Sequence, residues 1–158
     1  MLRISKKADY ALMAMKHLAG EARDGAVTAR EIAERYDVPL ELLAKVLQQL
    51  ARQGFLASHK GIHGGYQLAR STSAISVADV IEAIDGPVAI TACSSADERC
   101  EQFSKCNVRD PLWHVKNRIV ATLRSFSLSD MARDDDGGLP VKARLGAPAA
   151  EELGGGAR

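Results

Sequence analysis

Pro39 is the residue that most constrains this chain. Apolar residues recur at helical spacing on both sides of it. A proline lacks the amide hydrogen that an interior helical turn needs and is tolerated only in a first turn, so Asp37-Val38-Pro39 separates two helices. The first runs from Thr28 to Tyr36. It opens on Thr28-Ala29-Arg30-Glu31, a capping box in which Thr28 bonds the third amide and Glu31 reaches back to the cap. The second runs from Pro39 to Gly54, with Leu42, Leu43, Val46, Leu47 and Leu50 as an apolar stripe and Gly54 as the stop. Two short helices joined by a tight turn form a helix-turn-helix.

The outward face of the second helix would carry Leu40, Glu41, Ala44, Lys45, Gln48 and Gln49. Gln and Lys can contact base edges and phosphates, but an ordinary solvated face has the same composition. The residues that follow favour nucleic acid. Phe55 to His59 and Tyr66 to Arg70 alternate like strands around the glycine-rich turn Lys60-Gly61-Ile62-His63-Gly64-Gly65. A hairpin directly after a helix-turn-helix is a wing, and Lys60 and His63 among glycines could approach a phosphate or minor groove closely. The candidate contacts to a double-stranded DNA operator are Thr28, Pro39, Leu40, Glu41, Lys45, Gln48, Lys60 and His63. Charge agrees modestly: residues 1–70 hold 11 Lys+Arg against 7 Asp+Glu, and residues 71–158 hold 10 against 13.

Two further helices complete the domain. Ser5 can cap one from Lys6 to Gly20, with Ala8, Ala11, Leu12, Met15, Leu18 and Ala19 inward. Ser76-Val77-Ala78-Asp79 opens another through Ile84, with Val77, Val80, Ile81 and Ile84 inward, and Asp85-Gly86-Pro87 stops it. From Asp110-Pro111, or from up to a turn earlier, Leu112, Val115, Ile119, Leu123 and Phe126 recur every three or four residues, predicting one helix to about Met131. Too little chain remains to cover so apolar a helix, so a second copy is the economical cover and a homodimer is expected. From Arg133 onward the sequence reads as a flexible tail.

All three cysteines lie in one polar stretch, Cys93-x6-Cys100-x5-Cys106. No apolar run is long enough for a membrane span, and Asp9, Lys16 and His17 interrupt any signal-peptide core, so a cytoplasmic protein with no membrane partner is expected. In that compartment an odd cluster of thiols argues for metal or redox chemistry over structural disulfides. With 46% hydrophobic residues the chain can build a core. The expected fold is mainly α with a small β-hairpin wing. It comprises a winged helix-turn-helix domain (1–87), a cysteine loop (88–109), a long dimerisation helix (110–132) and a tail (133–158).

The sequence resembles the IscR/NsrR family of winged-helix regulators over roughly residues 1–132. The resemblance is carried by Ile4-Ser5-Lys6-Lys7-Ala8-Asp9-Tyr10-Ala11-Leu12, Val38-Pro39, Gly54-Phe55-Leu56, Lys60-Gly61-x2-Gly64-Gly65-Tyr66, Ile84-Asp85-Gly86 and the cysteine loop. Within the family, the opening residues and Ile84 to Cys93 are most similar to regulators of SUF iron–sulfur assembly genes. The resemblance implies a homodimer crossed by the C-terminal helix. It also implies an iron–sulfur cluster, 4Fe–4S or 2Fe–2S, on Cys93, Cys100 and Cys106. Where IscR-like members place a ligand His, this chain has Arg109; where NsrR-like members place a ligand Asp in the first helix of the other subunit, it has Asp9. Asp9 is therefore the candidate fourth ligand, with His114 the runner-up. The implied activity is cluster-sensing regulation of transcription, as a repressor of assembly genes. The rivals are a nitric-oxide or thiol-redox sensor of the same fold, through a Cys100–Cys106 disulfide, and a zinc-stapled DNA-binding adaptor. No P-loop, dinucleotide fingerprint or nucleophile–base constellation points to an enzyme.

Overall fold

The computed structural model describes residues 3–20, 25–90 and 101–133. Helix α1 (Lys6–Gly20) is followed by α2 (Ala29–Tyr36) and α3 (Leu40–Arg52). A hairpin of β1 (Leu56–His59) and β2 (Gly65–Leu68) comes next, then a 3-10 turn at Thr72–Ala74 and α4 (Val77–Asp85). Helices α5 (Arg109–Ser125) and α6 (Leu128–Arg133) complete the described chain. None of these helices is long and apolar enough to cross a membrane.

Local sequence sets most boundaries. Thr28 caps α2 with the reciprocal Glu31 bonds, and Ser76 caps α4 with Asp79 in the same way. Asp37 takes the left-handed conformation (φ 52°) that closes α2, returning its amide to the Ala33 carbonyl. A short polar side chain tolerates that conformation better than most. Pro39 then stands at the cap of α3. Gly54, at φ +75°, turns the chain out of α3 toward the hairpin.

The core gathers Met15, Ile32, Leu43, Leu47, Leu50, Ile75 and Val80 from α1 to α4. The strands pair antiparallel, Leu56 opposite Leu68 and His59 opposite Gly65. Val27 pairs with Tyr66 at the hairpin root through two backbone bonds, Val27 N–H to Tyr66 O at 3.0 Å and Tyr66 N–H to Val27 O at 2.8 Å. The approach is close enough that a Cβ on Gly65 would lie 2.5 Å from the Val27 carbonyl oxygen.

The C-terminal segment differs from the expected single helix. Helix α5 stops at Ser125, and Phe126 and Ser127 are extended against residues 75–77: Val77 donates to the Phe126 carbonyl and Leu128 to the Ile75 carbonyl, both at 2.8 Å. Ser127 and Asp130 then cap α6, and Leu128, only 1% exposed, enters the core. Arg133, expected to begin the tail, is the last residue of α6. Helix α5 starts at Arg109, one residue before Asp110-Pro111 and within the expected range. The remaining expected tail lies outside the described residues.

Candidate nucleic-acid interface and cysteine loop

Helix α3 is amphipathic. Leu43, Val46, Leu47 and Leu50 are buried, which turns Leu40, Glu41, Lys45 and Gln48 outward. Thr28 is half-buried at the start of α2, and Pro39 is exposed at the turn, beside an open groove lined by Arg30, Glu34, Asp37 and Leu40. Lys60 and His63 are exposed at the wing tip. Gln49, expected to face outward, turns inward. Its Nε2 donates to the Ala83 carbonyl at 2.8 Å, and Gln53 Nε2 donates to the same oxygen at 2.7 Å. The physical reason lies four residues on. Pro87 has no amide hydrogen to return to Ala83, so the carbonyl near the end of α4 takes side-chain donors from α3.

Arg70, at the end of the second strand's alternation and not among the candidate DNA contacts, fixes the wing to α3. Its Nε donates to the Gly54 carbonyl at 3.0 Å and its Nη2 to the Gln53 carbonyl at 3.2 Å, while its guanidinium lies 4.6 Å from the Phe55 ring centroid. Arg at the end of a strand that follows a helix stop was the available signal. The Glu31 carboxyl is held below its usual range, chiefly by the Thr28 backbone amide and then by the Thr28 hydroxyl.

Of the cysteines only Cys106 lies within the described residues; Cys93 and Cys100 lie outside them. Cys106 is a half-buried free thiol three residues before α5. Among the described residues no three His, Cys, Asp or Glu side chains gather as a metal site. Arg109 pairs with Asp110 at 2.7 Å and donates from Nη1 to the Phe103 carbonyl at 3.2 Å. The Arg109 guanidinium also holds the exposed Asp110 carboxyl below its usual range. Asp9 is half exposed and pairs with Lys6 at 3.5 Å, a contact of little energetic weight. One turn before it, Ser5 donates from its amide and hydroxyl to Asp85, the last residue of α4. Asp9 thus lies one turn from the contact between α1 and the end of α4. His114 is exposed on α5.

Residues 4–134 match the Rrf2 family, described as an iron-dependent transcriptional regulator. This chain belongs to the Rrf2 family. It is 33% identical over 136 residues to the helix-turn-helix regulator IscR of Yersinia pseudotuberculosis, covering 85% of this chain and 82% of that protein. CymR, the global cysteine regulator of B. subtilis, superposes with a TM-score of 0.70 at 27% identity, covering 85% of this chain and 98% of that one. IscR of T. potens gives a TM-score of 0.68 at 28% identity, covering 90% and 96%. As an Rrf2 protein, the chain is a DNA-binding transcriptional regulator with a winged-helix fold, and its relatives are regulators, not enzymes.

Proposed function

We propose that this Rrf2 protein is a cytoplasmic homodimer that senses an iron–sulfur cluster and represses iron–sulfur (SUF) assembly genes. The observation that carries the reading is the three-cysteine segment between α4 and α5 in a chain of this family. The donor set suits such a cluster: three thiols supply one ligand short of four, and a hard carboxylate makes an exchangeable fourth. Cys93, Cys100 and Cys106 would hold it, with Asp9 of a second copy completing the set. When bound, the cluster supplies a redox-active centre whose loss or alteration can be sensed.

The chain's own residues carry the rest. Helix α5 buries none of its side chains within one copy, leaving Trp113 at 49% and Val115 at 46% exposure, which supports pairing along α5. The Ser5–Asp85 bonds tie the N-terminus of α1 to the end of α4. The Gln49 and Gln53 amides tie α4 to the recognition helix. Cluster binding by Cys93, Cys100 and Cys106 would thereby bear on the setting of α3, with Thr28, Pro39, Leu40, Glu41, Lys45, Gln48, Lys60 and His63 as the DNA contacts. An allosteric coupling of about 1–3 kcal/mol would change operator affinity roughly five- to 150-fold.

The test uses mixed dimers of Asp9→Ala and Cys106→Ala chains, prepared anaerobically and assayed for iron, sulfide and absorption spectrum. A trans ligand restores wild-type cluster lifetime at one site of each mixed dimer, whereas a ligand from the same chain restores none. Wild-type protein lacking iron after anaerobic reconstitution would sink the cluster reading. A half-buried free Cys106 also favours a second reading, a thiol-redox switch through a Cys100–Cys106 disulfide. That switch would change DNA affinity on oxidation without iron. Zinc in place of iron would point to a structural staple.

A further inference from the structure

Ile62 is 98% exposed, more than any other large apolar side chain among the described residues, and it stands at the tip of the wing. A single exposed isoleucine is unremarkable on its own. Its mounting is not. Gly64 donates to the Gly61 carbonyl at 3.0 Å, and a Cβ on Gly64 would lie 2.6 Å from the His59 carbonyl oxygen, so the tip is a tightly closed turn. The root is fixed twice, by the Val27–Tyr66 backbone pair and by the Arg70 bonds to Gln53 and Gly54 at the end of α3. The apolar point is therefore held at a set offset from the face of α3. Its surroundings are basic: residues 55–70 contain Lys60, Arg70, His59 and His63 and no acidic residue. That charge balance suits a polyanion, and continuity with the helix-turn-helix face selects duplex DNA over a lipid surface or a second copy.

We propose that Ile62 is an apolar wedge that enters the operator minor groove and partly unstacks one base step, while Lys60 and His63 hold the flanking phosphates. This rests on the DNA-binding reading above and deepens it. Minor-groove proteins insert side chains of this kind, and pyrimidine–purine steps yield to them most easily. The wing would thus contribute specificity for a TA or CA/TG step at a fixed distance from the bases facing α3, through deformability and not through hydrogen bonds.

The experiment selects duplexes from a randomised pool with the full chain, iron-loaded and chelated. It then measures affinity for the selected duplex by fluorescence anisotropy across salt, with 2-aminopurine at the wing step. Wild type should enrich a flexible step at one spacing and brighten the probe on binding. Ile62→Ala should lose that enrichment and the brightening, and weaken binding about tenfold, with an unchanged salt slope. Ile62→Met should retain most of each. Lys60→Ala should instead weaken all duplexes and lower the salt slope by about one. An Ile62→Ala protein with wild-type selection and affinity overturns the wedge, as does a loss that is equal on every sequence. Failure of the wild type to bind any duplex, loaded or chelated, overturns the DNA contacts themselves.

Discussion

The Thr28 hydroxyl accepts the Glu31 amide at 3.2 Å while the Glu31 carboxylate takes the Thr28 amide hydrogen at 2.6 Å and hydroxyl hydrogen at 2.7 Å. Thr28→Ala removes the side-chain half of this box and should cost about 1 kcal/mol, read as a lowered denaturation midpoint. The Glu31 carboxyl titrates lower in the folded chain than in the unfolded one. Its bonds therefore add stability above the unfolded carboxyl's range, and that stability is lost as pH falls through the folded value. Glu31→Gln should melt below wild type at neutral pH and converge with it in acid; a pH-independent gap would contradict this. The Thr28 box is legible in sequence because all its partners lie within four residues. Gln49 is not, because its partner is a carbonyl on another helix, left without an amide by Pro87. Replacing Gln49 and Gln53 together by Ala leaves the Ala83 oxygen without protein donors and should destabilise by about 1–3 kcal/mol, at the lower end where water reaches it. Single replacements should cost much less, since each glutamine covers for the other.

At the scale of elements, the break between α5 and α6 is the main departure from what periodicity implies. Ser127-Leu128-Ser129-Asp130 has the same cap spacing as Ser76-Val77-Ala78-Asp79, but it lies inside an apolar repeat that continues through it. Periodicity cannot distinguish a helix that continues from one that stops and restarts in phase. What decides is tertiary: the free amide of Val77 and the carbonyl of Ile75 find partners in Phe126 and Leu128. Leu128→Ala should cost about 2–5 kcal/mol in chemical denaturation, as a fully buried leucine does. A value near zero would mean that α6 is not docked in solution. The wing was legible as a hairpin from its glycines and alternation. Its bracing by Val27 and Arg70 was not, because both contacts join residues distant in sequence.

For the molecule as a whole, α1–α4 and α6 bury their apolar faces within one copy and α5 does not. Val115→Glu places a charge on the open face of α5 without touching the core, so sedimentation should show monomers with an unchanged far-ultraviolet spectrum. Operator affinity should fall together with the loss of two-fold binding. A Val115→Glu protein that stays dimeric would exclude α5 as the pairing surface. The winged-helix body and the apolar helix were readable from sequence because both are built on local periods. The cluster ligands are what the family resemblance implies, and two of the three cysteines lie outside the described residues.

The return of residues 126–128 to the body has a consequence for how the chain is made. Leu128 packs into the core that α1 helps to build, so a contact between the two ends of the folded unit must form before that core is sealed. Such long-range closure is slow, and on the ribosome it waits until almost the whole unit has emerged. Chains ended before residue 127 should be cleared as unfolded products. A shortened chain that lacks Leu128 is thereby removed before it accumulates beside the complete one.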